Sequence, residues 1–310
     1  MRIPVKFPQN TTLVFGILAG LIACLIGAGW QVATRYGVTS SLTPIDLSLF
    51  RYAIPALLLL PFWRKEAFFP TNVPIYLVTL MVFGAGLPFG LMVMTGSQHA
   101  PVAHLAALLP GAMPLFVALL SRLFLDEKHS ISQISGYMLV VSGIAIISWE
   151  SLSSYSSDTW QGDILFLCAA FSWGIYIIAF RKSGLSAWHG TALVNAWSLI
   201  LVIPVWLWMQ SGTLFSAAPG DILIQVLWQG VLAGFIGLWI YGYSLAQLGA
   251  TRSAAVGALV PVFSAAGGWL FLQEALDTHL ISGIAIVASG VLLSTGISAL
   301  FTRKHELSGS

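Results

Sequence analysis

Charge scarcity constrains this chain more than any other feature. Only 24 of its 310 residues are Lys, Arg, Asp or Glu, about 8%, where a soluble domain carries ~25%. So few charges cannot coat a water-facing surface of this size. With 57% apolar residues, the chain reads as an integral membrane protein, not a soluble enzyme, a nucleic-acid binder or a disordered chain. Cys24 and Cys168 both fall in apolar stretches, so no disulfide framework is expected.

Ten apolar segments follow one another, near 12–33, 44–62, 73–95, 101–121, 131–149, 162–180, 189–209, 223–245, 251–272 and 279–299. Each approaches the ~20 residues a helix needs to cross a bilayer. Lipid cannot satisfy free backbone groups, and the segments lack the alternation of barrel strands, so the fold class is an all-α membrane protein with ten transmembrane helices. Placing the N-terminus in the cytoplasm puts Arg2, Lys6, Arg64, Lys65, Arg122, Lys128, Arg181, Lys182, Arg252, Arg303 and Lys304 inside and only Arg35 outside. The excess of inside positive charge orients a multi-pass plasma-membrane protein with both termini cytoplasmic, such as one of a bacterial inner membrane.

The two halves superpose on a shift of 147 residues. Pro114 maps onto Pro261, Glu127 onto Glu274, Gly136 onto Gly283 and Ser142–Gly143 onto Ser289–Gly290. Near each start the shift falls to 143–144, pairing Cys24 with Cys168 and Trp30 with Trp173. The first segment is therefore a span with a later counterpart, not a signal peptide. Five spans per half is an odd number, so the halves form two inverted five-helix repeats around a central cavity. The domain reading is a cytoplasmic tail at 1–11, repeats at 12–149 and 162–299, an outside linker at 150–161 and a cytoplasmic tail at 300–310.

Several residues stand out against this background. Arg51 lies within the second span, where a charge costs about 2.5–3.5 kcal/mol on insertion scales. It reads either as the binder of a substrate carboxylate or phosphate, or as a structural residue that snorkels or pairs with Asp46. His104 could titrate or be a satisfied interior histidine. Trp30, Trp173, Tyr176 and Tyr243 fall mid-span and could wall an aromatic pocket, with Asn195 and Gln229 adding hydrogen-bonding groups. Pro110 and Pro114 in the fourth helix and Pro261 in the ninth read as matched helix breaks, hence hinges, or as packing kinks. Gly86, Pro88 and Gly90 loosen the third helix similarly. Glu127 and Glu274 sit just before the next helix and read as structural. Gly16–x3–Gly20, Gly86–x3–Gly90 and Gly230–x3–Gly234 permit close helix contact within the chain.

Trp30, Phe50–Arg51–Tyr52, the Pro114…Glu127…Gly136 run and its second-half counterpart Ser244–Leu245–Ala246…Ala250–Thr251–Arg252…Pro261…Glu274…Gly283 resemble the EamA type of the drug/metabolite transporter superfamily. The resemblance spans about 12–299 and implies ten helices in two inverted repeats, a central cavity and solute export or exchange. No Asp or Glu lies deep in a span, unlike the small multidrug branch with its embedded Glu, so a cationic drug is disfavoured. The expected function is a secondary transporter moving a small metabolite, an amino acid or a related zwitterionic, neutral or anionic solute, by alternating access. A nucleotide-sugar or sugar-phosphate exchanger is the alternative, and a polytopic receptor or enzyme a distant one. No catalytic or metal-binding motif is recognised. The expected partners are a small-molecule solute and the lipid bilayer, with no cofactor, no metal and no nucleic acid, for a monomeric protein.

Overall fold

A computed structural model describes residues 9–60, 69–70, 72–153, 158–209 and 213–295. Among the described residues the chain is all helical, with no strands. The elements are α1 (Gln9–Thr39), α2 (Pro44–Leu58), α3 (Ile75–Ala85), α4 (Leu87–His99), α5 (Val102–Leu125), α6 (Ile131–Ser153), α7 (Thr159–Ser183) and α8 (Ala187–Met209). There follow a short α9 (Thr213–Ser216), α10 (Pro219–Gln225), a π-helical stretch (Val226–Ile236), α11 (Gly237–Leu248), α12 (Ala250–Gly257), α13 (Val260–Leu272) and α14 (Thr278–Ser294). Eight helical stretches among the described residues are long and apolar enough to cross a membrane. The second and tenth expected spans appear as shorter helices, α2 with 15 residues and α14 with 17. Large apolar side chains such as Leu123, Phe124, Met138, Trp208 and Phe271 are exposed on the outside, as lipid contact requires and water would penalise. This is a multi-pass membrane protein.

Within the expected linker at 150–161, α6 continues to Ser153 and α7 begins at Thr159. Of the expected tails, residues 1–8 and 296–310 lie outside the described residues.

Local chemistry explains where helices start and break. Thr43 and Asp46 form a reciprocal capping box at the start of α2, satisfying donors that helix geometry leaves free. The third segment breaks at Gly86 into α3 and α4. The break is tolerated because its backbone groups find partners: the Tyr52 hydroxyl donates to the Gly86 carbonyl, and the Leu87 N–H donates to Ser198 Oγ at 3.2 Å. In the second half the helical ladder is interrupted at Ala258–Leu259, between α12 and α13, one turn ahead of Pro261, which has no N–H for the carbonyl four residues earlier. The matching helix behaves differently. α5 runs unbroken through Pro110 and Pro114, so the expected pair of matched breaks is realised only in the second half.

Glycines set the packing. α6 and α14 cross antiparallel, and their backbones touch. A Cβ on Gly136 would lie 2.7 Å from the Gly290 carbonyl, and one on Gly143 would lie 2.9 Å from the Gly283 carbonyl. The 147-residue shift exchanges these two contacts, so each half of the chain brings two glycines at the same spacing to the seam. In the same way Gly16 and Gly20 meet α11 through Leu248 and Ser244, and Gly230 and Gly234 receive Ile54 and Pro55. Small residues give such close approach where no hydrophobic driving force separates helix from lipid. The first half of α5 is the interior hub: Leu105, Leu108, Leu109 and Ala112 are fully buried against Phe166 and Ala170 of α7 and Val287 of α14.

Gly290→Ala and Gly136→Ala should each lower stability by about 1–3 kcal/mol through overpacking, seen as a reduced Tm of the detergent-solubilised protein. Gly242→Ala, whose Cβ meets nothing within 4 Å, should leave Tm unchanged. Equal Tm in all three would contradict the seam.

Candidate functional site

Arg51 defines the site. It stands on α2, and its guanidinium lies over the Trp30 ring of α1, 5.1 Å from the ring centroid. Its Nη1 is buried without a hydrogen-bond partner among the described residues. Asp46 does not pair with it. That carboxylate is fully buried and taken up by its cap, by the Trp206 indole N–H at 2.7 Å and by the Thr213 hydroxyl at 2.6 Å. The pairing alternative for Arg51 is thus corrected: Asp46, closing α2 against α8 and α9, is already saturated. A desolvated cation over an aromatic face gains ~2 kcal/mol. That falls short of the penalty for a buried charge with a free donor.

Trp30 is itself held from behind. Its indole N–H donates to Gln229 Oε1 at 2.6 Å. Gln229 Nε2 donates to Thr34 Oγ1 at 2.9 Å and to Gln225 Oε1 at 3.2 Å, and Gln225 donates on to the Ala33 carbonyl at 2.7 Å. Both glutamines are fully buried. Gln229 lies in the π-helical stretch, a widened turn of the kind that often accompanies functional sites. This saturated network fixes the Trp30 ring and, through it, Arg51.

Arg51 and Trp30 line a cavity of about 230 Å³, walled also by Cys24, Tyr241, Ser253 and Gly257. Its size suits a small solute, since drug-sized ligands occupy ~300–1,000 Å³. The buried Ser253 Oγ is a second polar atom there without a partner among the described residues. A second cavity of about 720 Å³ shares Tyr241 and Gly257 with the first and continues past Pro110, Pro114 and Ala254 to Glu127, Lys128 and His129. Glu127 follows the C-terminal end of α5, about 36 Å from Val102 at ~1.5 Å per residue, so this second cavity leads towards one end of the molecule.

The other end carries a buried ion pair. Arg35, near the C-terminus of α1, pairs with Glu274 at 3.1 Å. Its Nη1 also donates to the Ser97 and Gln98 carbonyls at 2.6 and 3.0 Å, while Glu274 accepts the Val102 N–H at 2.8 Å. The reading of Glu274 as a carboxylate at a helix N-terminus holds, but for α5, not for the helix that follows it. At the opposite end Arg181 pairs with Glu127. Both glutamates follow a residue in left-handed backbone conformation, Asp126 (φ 54°) and Gln273 (φ 56°), of the kind that ends helices. The bond from Arg181 holds the Glu127 carboxyl below the ordinary carboxylate range. Sign follows: the pair is fully formed above that ordinary range and is lost only as pH falls through the lowered value.

The remaining candidates lie elsewhere. His104 faces Asp163 Oδ1 through Nδ1 at 2.8 Å, a buried pair between α5 and α7 away from the cavity lining. Trp173 packs between Phe89 and Tyr176, and Tyr176 stacks on Phe180. Asn195 donates to the Thr191 carbonyl of its own helix. Tyr243 lines neither of these cavities, and Tyr241, two residues earlier and just as exposed, takes the place at the cavity. The structure therefore brings Arg51 and Trp30 together, with Pro110 and Pro114 on the adjoining cavity and Pro261 buried in α13. It does not gather the four aromatics into one pocket. Position on a helix face separates Tyr241 from Tyr243, and hydropathy alone carries no such information.

A many-helix membrane protein with a small cavity lined by a cation whose buried Nη1 has no partner among the described residues fits the class of solute transporters. The chain is a member of the EamA-like transporter family, which it matches over residues 14–149 and 160–296. It is similar to a "probable terminal-alkyne amino-acid exporter" of Streptantibioticus cattleyicolor, 30% identical over 64% of this chain and 65% of that one. A "probable amino-acid metabolite efflux pump" of Salmonella typhimurium is 24% identical over 90% of this chain and 94% of its own. One solved crystal structure shares the fold with a TM-score of 0.57 at 16% identity, covering 91% of this chain and 96% of that chain. These two relatives are named as an exporter and an efflux pump.

His104→Leu should leave Asp163 buried and unpaired, costing about 3–5 kcal/mol. The double change His104→Leu with Asp163→Leu should recover most of that loss, by thermal unfolding in detergent. A double variant no more stable than the single one would contradict the pairing.

Proposed function

We propose that this protein is a secondary transporter that exports or exchanges small carboxylate-bearing metabolites, amino acids first among them, by alternating access. The observation that carries the reading is the free Nη1 of Arg51, buried over Trp30 in a cavity of about 230 Å³. A carboxylate entering there supplies the missing acceptor and charge, and a guanidinium is shaped to take it. One cation in so small a space fits a carboxylate better than the diphosphate of a nucleotide sugar. The names of the two exporters support amino acids as the leading class.

In this reading ten helices form two inverted five-helix repeats. Their support is the antiparallel crossing of α6 and α14 through exchangeable glycine contacts and the 147-residue spacing of the Asp126 and Gln273 caps. The biased distribution of Lys and Arg orients both termini to the cytoplasm of a bacterial inner membrane. The open end near Glu127 then faces inwards and the Arg35–Glu274 end outwards, so a cytoplasmic solute reaches Arg51 first. The breaks at Gly86 and before Pro261 are the points at which helix halves can tilt to reverse the opening.

In proteoliposomes offered a mixed metabolite panel, Arg51→Gln should reduce transport of a carboxylate substrate by ~100-fold, as removing a charged partner of a buried ion costs about 2–5 kcal/mol. Arg51→Lys should retain part of the activity. Transport by Arg51→Gln at the wild-type rate would refute this site.

A further inference from the structure

The two arginine–glutamate pairs occupy corresponding element ends: each joins an arginine near the C-terminus of α1 or α7 to the glutamate just past α13 or α5. Arg35 and Arg181 are 146 residues apart, and Glu127 and Glu274 are 147 apart. Their surroundings differ. The Arg35–Glu274 pair is largely buried, with side chains 19% and 13% exposed, and it grips the α4–α5 junction. Arg35 takes the free carbonyls at the C-terminus of α4, and Glu274 takes a free N–H at the N-terminus of α5. Each charge thereby meets the helix end whose dipole it complements. The Arg181–Glu127 pair is 44% and 39% exposed. Among the described residues, Arg181 donates to Glu127 alone.

The 147-residue shift carries junction 97–102 onto 244–249, where α11 ends and α12 begins. The N-cap of α12 is Gly249, which has no side chain to cap it, and among the described residues no other side chain is seen to do so. The large cavity separates Glu127 from Ala254 and Gly257 of α12. The structure thus holds one gripped junction and, at the other end, a cavity lined by Glu127 on one side and by Ala254 and Gly257, the later turns of α12, on the other, with no such grip on the α11–α12 junction among the described residues.

We infer that the two pairs are reciprocal clamps of the transport cycle: when the cavity opens at the Arg35 end, Arg181 takes the carbonyls at the end of α11 and Glu127 the N-terminus of α12. The four side chains position helices and touch no substrate. Because grip at one end requires a gap at the other, the clamps favour one opening at a time. The inference rests on the transporter reading, since it supplies that cycle with its two end states.

Cys24 lines the cavity and reports its opening directly. In a Cys168→Ser background in sealed vesicles of either orientation, a membrane-impermeant methanethiosulfonate should label Cys24 mainly from the Arg181 side. Arg35→Gln and Glu274→Gln should each raise labelling from the Arg35 side about tenfold or more, the expected scale for losing charge-assisted hydrogen bonds. Arg181→Gln should leave labelling from the Arg35 side at or below the wild-type rate. It should also slow turnover without weakening substrate binding from the Arg181 side. The charge swap Arg181→Glu with Glu127→Arg separates clamp from staple. It restores the ion pair but points the wrong charges at both helix ends, so turnover should stay low. Recovery of wild-type turnover by the swap, or labelling from the Arg35 side unmoved in both Arg35→Gln and Glu274→Gln, would overturn the clamps. The labelling needs no substrate. Shifts as expected without solute movement would therefore count against the transporter reading alone, and solute movement with a silent swap against the clamps alone.

Discussion

The seam between α6 and α14 is the constraint on which the rest of the structure depends. Gly136 lies against Gly290 and Gly143 against Gly283, so close that no side chain fits between the backbones. Lipid is as apolar as leucine, so helices gain little by burying greasy surface against one another. They gain by packing closely. The seam joins the two halves at their last helices and leaves their earlier helices to define the space between. α5 fills the centre from one half, and α7 packs against it from the other. The Arg51 cavity opens where α1, α2, the π-helical stretch and α12 meet.

Within that frame each polar group has a task. Asp46 holds α2 to α8 and α9. Gln229 and Gln225 fix Trp30. His104 and Asp163 join α5 to α7. These groups are costly in a membrane interior unless satisfied, and the structure satisfies most of them internally. Arg51 departs from the pattern in charge: Asp163 Oδ2 and Ser253 Oγ also lack partners among the described residues, but Arg51 Nη1 is the cationic donor among such atoms and its residue lines a cavity. That combination is what singles out a site for an anionic group.

Much of the architecture was legible in the sequence because its causes are local. Long apolar runs with few charges must be helical in lipid. Gly86 and Pro261 mark places where helical geometry fails. Arg51 could be singled out by its position in an apolar segment, and the repeat by its spacing of Pro, Glu and Gly. What stayed hidden depends on which helices become neighbours. Arg35 meets Glu274 across 239 residues, and Trp30 meets Gln229 across 199. Hydropathy says nothing about such pairs. The spacing of Arg35 from Arg181 beside that of Glu127 from Glu274 was a usable signal for the ion pairs. No comparable signal distinguished Tyr241 from Tyr243, or foretold that α5 would run unbroken through two prolines.

Solute counterflow tests the central claim, a carboxylate carrier working by alternating access, most directly. Proteoliposomes preloaded with unlabelled amino acids would receive trace labelled amino acid outside, and the internal label would be followed over time. The account predicts a transient accumulation above the external level, dependent on the trans solute and abolished in Arg51→Gln. Folded protein that gives no overshoot with any carboxylated metabolite, or an overshoot that persists without the Arg51 guanidinium, would contradict it.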